Sequence, residues 1–272
     1  MATAHALSAL CKTLAQLMGE TVIGTPSGTY TTTGFDCADL AVYDDDYFND
    51  WNGRFYEATN KDKSFVVTAF AKSGGHITFS PAVTLVDALD LFYLLPDFTP
   101  TELINAINLA ISMVEQESLQ DKVDATLVVV ADQYEYTIPT GFVYVDQIFQ
   151  EGSTADRYSP SSGLIDGRGW RILHGSTPKI WFDDSYVSLT TGRNLRLVGQ
   201  AVQSQLTLDA NECSVAKAYI VYQAKALLHQ SRIRGEGADF EGHRSQLALA
   251  QTIANGERAR MHVIQRGQKV SF

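Results

Sequence analysis

The 272 residues predict an α+β fold: a helical bundle, built from an N-terminal helix, a central helix and two C-terminal helices, with two mostly antiparallel β domains inserted into it. Three observations predict it. Apolar residues recur at helical spacing near the N-terminus, at 98–120 and again beyond 209. The stretches between, 22–95 and 125–208, are short β-like runs broken by Gly, Asn, Asp, Ser and Pro. Neither stretch alternates strands with helices, so a nucleotide-binding parallel sheet is not expected.

Residues 4–18 carry Leu7, Leu10, Leu14 and Leu17 on one helical face, and Gly19 stands where a helix C-cap sits. Short β-like runs follow (TYTTT, RFYEA, FVVTAF, HITFS), and SFVVTAF-AKSGG-HITFS reads as a hairpin. Asp87 to Leu94 fits either a last strand or a helical turn. FTPTELINAINLAISMVEQESLQ opens on Thr99 as N-cap, Pro100 at the first helical position and Glu102 closing a capping box; Leu103, Ile104, Ile107, Ile111 and Val114 then share a face. The second β stretch offers TLVVVA, YEYTIP, YVDQIFQ, RGWRILH, PKIWFD and NLRLVGQ, with Gly-Ser and Pro-Ser clusters around 152–163 that fit an exposed loop or a hairpin tip. Asp209 and Glu212 read as a second capping box opening a long helix through Leu228; GEG at 235–237 breaks it, and a more polar helix runs from Asp239 to about Ile264. The expected segments are an N-terminal helix (1–20), a first β domain (21–96), a central helix (97–121), a second β domain (122–208), C-terminal helices (209–257) and a basic arm (258–272).

Composition places the chain among globular proteins, since 45% of residues are hydrophobic and only 19% charged. The net charge of -10 is uneven: residues 1–150 hold 20 Asp/Glu against 6 Lys/Arg, and 151–272 hold 11 against 15. An acidic front half is a poor grip for nucleic acid, which needs a basic surface. Cys11, Cys37 and Cys213 are odd in number and far apart, without a CxxC spacing, which points to a reduced, cytosolic folding compartment. MATAHALSALCKTLAQLMG has no basic leader and is interrupted by Lys12, so a signal peptide is not expected. No apolar run reaches the ~20 residues of a membrane helix.

DDDYFNDWNGRFYE, Asp44 to Glu57, is the densest candidate site. Calcium is the usual use of closely spaced aspartates, but an EF-hand loop needs oxygen ligands at its first, third and fifth positions, Gly at the sixth and Glu at the twelfth. Counting from Asp44 puts Phe48 and Phe55 at ligand positions, and counting from Asp46 puts Phe48 and Trp51 where a ligand and the Gly belong. A turn reading fits better, with Tyr43, Phe48, Trp51 and Phe55 packed beneath. Whether Asp44, Asp45, Asp46 and Asp50 face water or a basic partner stays open.

Catalytic and cofactor motifs are absent. There is no GxSxG, GxxxxGK[ST] or HExxH, the histidines at 5, 76, 174, 229, 243 and 262 lack metal-ligand spacing, and GLIDGRGW does not make GxGxxG. No enzyme, cofactor or metal is expected. Paired carboxylates of a glycan hydrolase need no local motif and remain an alternative. Tyr158, Trp170, Trp181, Phe182 and Tyr186 offer another, a sugar-stacking face, against their reading as sheet core. The tail GERARMHVIQRGQKVSF carries Arg258, Arg260, Arg266 and Lys269 and ends on Phe272; basic residues there also complement a helix dipole.

The leucine-rich helix, the lead-in TYTTTGFDCADLAVYDDDYFNDWNGRFYEA, the pair ending in GGHITFSPAV and then FTPTELINAINLAI resemble the neck proteins of tailed bacteriophages, the head-to-tail adaptor or head-completion connector proteins. The resemblance implies a non-enzymatic virion component at the portal vertex, assembled in the host cytoplasm without a membrane. It implies a homo-oligomeric ring, commonly of twelve copies, between the portal protein and tail or other neck proteins, with DNA passing through unbound. It also implies a C-terminal arm docked on the portal, here Arg258, Arg260, Arg266, Lys269 and Phe272. The Asp44, Asp45, Asp46 and Asp50 turn would then meet a basic neighbour in the ring. A tail-associated receptor or carbohydrate-binding protein is the competing reading.

Overall fold

The computed structural model describes residues 4–161, 163–233, 240–261 and 268–270. In chain order the elements are β1 (His5–Ala6), α1 (Leu7–Met18), β2 (Val22–Gly24), β3 (Gly34–Asp36), β4 (Asn52–Phe55), β5 (Ser64–Ala71), β6 (His76–Ser80), β7 (Phe92–Leu95) and α2 (Pro100–Ser112). Then come β8 (Leu119–Val128), β9 (Glu135–Thr137), β10 (Phe142–Gln150), β11 (Trp170–Leu173), β12 (Lys179–Phe182) and β13 (Asn194–Val202). The chain continues through β14 (Glu212–Cys213), α3 (Lys217–Arg232), α4 (Phe240–Arg260) and β15 (Gln268–Lys269). Two compact units form. One holds the described residues of Met1–Val114 and Ser204–Met261, the other those of Glu115–Gln203 and His262–Phe272.

In the first unit six strands make one curled antiparallel sheet in the order β2-β7-β4-β5-β6-β3. Its concave side is filled by Phe35, Phe55, Phe65, Phe79 and Phe92, with ring centroids 4.8 Å apart for Phe35–Phe92, Phe55–Phe65 and Phe65–Phe79. The expected hairpin forms between β5 and β6, Phe70 opposite Ile77. Its turn requires Gly75, at φ 62°, because a Cβ there would lie 2.1 Å from the Cys37 carbonyl oxygen.

β7 corrects the predicted fold class. Side chains of a strand alternate between faces. Phe92 and Leu94 belong to the phenylalanine core, while Tyr93 and Leu95 are buried with Leu10, Leu14, Leu103, Ile107 and Ile220 of the helices. The sheet is therefore one wall of the helices' own core, and among the described residues strands in four sheets occupy as much of the chain as four helices do. The molecule is not a helical bundle with β insertions. LFYLL reads as apolar on both faces because both faces are covered.

Some helix ends follow local rules and others do not. Gly19 ends α1 at φ 115°. The capping box of α2 is complete: Thr99 Oγ1 accepts the Glu102 N–H at 3.2 Å, and Glu102 Oε2 accepts the Thr99 N–H at 2.8 Å. The second capping box does not form. Glu212–Cys213 is a strand paired with His5–Ala6, α3 begins only at Lys217, and Asp209 is buried elsewhere. Lacking a side-chain cap, α1 donates its Leu7 N–H to Asn211 O at 2.9 Å and its Ser8 N–H to Asp209 O at 3.3 Å.

The second unit holds a four-stranded sheet, β15-β10-β13-β8, and a three-stranded one, β11-β12-β9. Phe142, Val145, Ile148, Ile172, Ile180, Phe182, Leu195, Leu197 and Val270 form its core. Five of the expected strand segments of this region appear, but TLVVVA contributes only Thr126–Val128: β8 begins at Leu119, inside the segment expected as central helix, which ends at Ser112.

Candidate functional site

The acidic segment is a series of turns in the first unit. Tyr47 N–H donates to Asp44 O at 3.2 Å and Asn49 N–H to Asp46 O at 3.0 Å; Asp46 and Asp50 take left-handed backbone conformations, φ 66° and 65°, that Asp tolerates. All four aspartates are exposed. Asp44 Oδ1 lies 2.9 Å from Lys72 Nζ, Asp45 Oδ1 accepts the Lys72 N–H at 2.7 Å, and Asp46 Oδ1 accepts from Asn49 Nδ2 at 2.8 Å. Beneath them Phe48 is fully buried, edge-on to Phe70 at 4.9 Å and to Trp51 at 5.0 Å. Asp44 and Asp45 thus tie the turn to the end of β5, and Phe48 packs beneath it against Phe70. Among the described residues no group of three or more His, Cys, Asp or Glu side chains is placed to hold a metal ion.

The basic residues of the C-terminal segment occupy different elements. Arg258 and Arg260 lie in the last turn of α4, where Arg260 Nη1 meets Glu257 Oε1 at 2.6 Å. Lys269 lies in β15 opposite Tyr144 of β10, and the next residue, Val270, is buried in the second unit's core and donates its N–H to Val143 O at 2.7 Å. Arg266 and Phe272 lie outside the described residues.

The five aromatics do not share a face. Trp170 and Phe182 sit opposite one another on β11 and β12 and point into the core. Their neighbours point outward, where the Arg171 guanidinium stacks 4.5 Å over the Trp181 ring. Tyr158 instead covers Arg196, which is held between the Tyr158 and Phe149 rings at 4.5 and 4.9 Å. Tyr186 is exposed. The rings serve packing and cation stacking rather than one sugar platform.

Sequence reading missed the buried polar groups. Arg54, on β4, reaches Asp209 at 2.8 Å and Asp62 at 3.4 Å, and Asp209 Oδ2 accepts the Asp62 N–H at 3.2 Å. Asn60 and Asp90, both fully buried, bond at 2.7 Å. His229 of α3 meets His243 of α4 with Nδ1 atoms 2.9 Å apart. No local spacing announces pairs this far apart in sequence. Burial pushes the Cys11 thiol up to about 12 and the Cys213 thiol up to about 11, so both stay protonated and weakly nucleophilic at neutral pH. At the surface Asp166 is pulled down to about 2 by hydrogen bonds from Arg168, a local clamp on the turn before β11.

Carboxylates used as turn locks, cations stacked on rings and aromatics used as core define a structural scaffold of one α+β unit and, among the described residues, one β unit. The family model for the SU10 adaptor protein matches residues 77–269, from β6 through β15, well over half of the chain. The chain belongs to the SU10 adaptor protein family, whose members are phage adaptor-type structural proteins. None of the curated proteins compared with it matches. Among the described residues no helix is long and apolar enough to cross a membrane.

Proposed function

We propose that the protein is a head-to-tail adaptor of a tailed phage virion: copies form a ring, commonly of twelve, between the portal protein and tail or other neck proteins. The family match across 77–269 carries this reading. The acidic front half supports it, because a lumen poor in cations lets DNA slide without binding its phosphates. Ring neighbours related by rotation use a heterologous contact, in which an acidic patch of one copy meets a basic patch of the next. The exposed Asp44, Asp45, Asp46 and Asp50 turn suits the acidic side of that contact. Arg258, Arg260, Arg266 and Lys269, with Phe272, are proposed to hold the portal. The particle assembles in the host cytoplasm, and the protein resides at the portal vertex.

Electron microscopy of the purified chain mixed with its portal protein tests the reading. A ring stacked coaxially on the portal is expected. Location of the protein at fibre tips in intact virions, with no portal complex formed, would overturn it.

A further inference from the structure

α4 is attached to its unit by a narrow seam. Of its 21 residues only Ala250 and Ala254 are buried; His243 and Leu247, at helical spacing before them, are half-buried. The seam rests on α3, and at one end His243 meets His229, which is 5% exposed. The Nδ1 atoms stand 2.9 Å apart, a hydrogen bond that one nitrogen must donate and the other accept. One shared proton satisfies the contact, whereas protons on both nitrogens would set two N–H groups against each other.

The surroundings oppose added positive charge. From α3, Lys225 acts on His229 one turn earlier. Arg232, one turn later, stacks on Phe98 at 4.8 Å and is held by Glu102 at 3.2 Å and by the Asp97 carbonyl oxygen. Phe98 itself lies edge-on to His229 at 6.2 Å. His229 Nε2 is buried without a hydrogen-bond partner among the described residues, so none of them offers its ring a second acceptor there.

We infer that the His229–His243 contact is an acid-sensitive latch: uptake of a proton by His229, buried at the α3–α4 seam beside Lys225, destabilises it and releases α4 from α3. Burial, with help from Lys225 and His243, already holds His229 down to about 4 from an ordinary 6.5. The sign follows: a base depressed in the docked state gains its proton when α4 opens. Docking is unaffected above about pH 6.5 and weakens progressively as pH falls toward 4. α4 also carries Arg258 and Arg260. Taking them as portal-binding residues rests on the proposed function, but the latch itself concerns the isolated chain and stands or falls without the portal.

Hydrogen exchange of the full chain at pH 7.5 and pH 5.0, corrected for intrinsic rates, tests it. The opening equilibrium of Leu247–Ala254 should rise about 30-fold at the lower pH, with amides of α1 and α2 unchanged. His229→Leu should abolish that rise, and His243→Leu serves as a second variant should the first fail to fold. An α4 that opens equally at both pH values, or an undiminished rise in the folded variant, would overturn the inference.

Discussion

Arg54 and Asp209, 155 residues apart in sequence, meet in the interior of the first unit with Nη2 and Oδ1 at 2.8 Å and side chains 6% and 0% exposed. A buried pair contributes little beyond what apolar residues of the same volume would, but breaking it strands the other charge. Asp209→Ala should cost about 3–5 kcal/mol of unfolding free energy. The double change Arg54→Met with Asp209→Leu should recover most of it. Urea denaturation of the three chains decides the point, and a double variant as unstable as the single one would contradict it.

The acidic turn separates folding from assembly. Its ion pair with Lys72, made by Asp44, is exposed, at 51% and 91%. Changing Asp44, Asp45 and Asp46 together to Asn should therefore alter stability by less than about 1 kcal/mol. Phe48→Ala, which empties the space beneath the turn, should cost about 3–5 kcal/mol. If the triple variant melts normally but no longer forms rings, the aspartates face a neighbouring copy. Normal rings would place them in water.

Thr99 is a purely local contribution. Thr99→Ala removes the acceptor for the Glu102 N–H and should lower stability by about 1 kcal/mol in thermal or denaturant unfolding. Thr99→Ser keeps the oxygen and should be nearly silent.

The C-terminal segment calls for charge reversal rather than truncation. Removing residues from Gln268 onward would take an edge strand and the buried Val270 from the second unit, so lost portal binding would carry no information about charge. Arg258→Glu, Arg260→Glu and Lys269→Glu leave the core intact. Together they should abolish portal association while shifting the melting transition little; retained association would exclude these cations as the contact.

What was legible in the sequence was what neighbours in sequence settle. The β5–β6 hairpin follows from two glycines between alternating strands, and the α2 cap from Thr99, Pro100 and Glu102. Asp209 and Glu212 had the same appearance of a cap, yet Arg54 claims the aspartate, and the helix starts later. That choice is made by tertiary burial, which overrides a local preference of about 1 kcal/mol. The fold class failed for a related reason. LFYLL is apolar on both faces, and this was the available sign that the sheet shares its core with the helices.

The dependence of α1 on the carbonyl groups of Asp209 and Asn211, and of His5–Ala6 on Glu212–Cys213, also orders events at the ribosome. The first helix to be synthesised waits for its caps until the whole of the second unit's β8–β13 has been made. Contacts so distant close late, and the intervening strands have time to form their own core first. Nascent chains stalled after Gln203 should protect β8–β13 from protease while leaving α1 open to cleavage, and chains extended through Ile233 should protect both. Early protection of α1 would show that the helix docks without its caps.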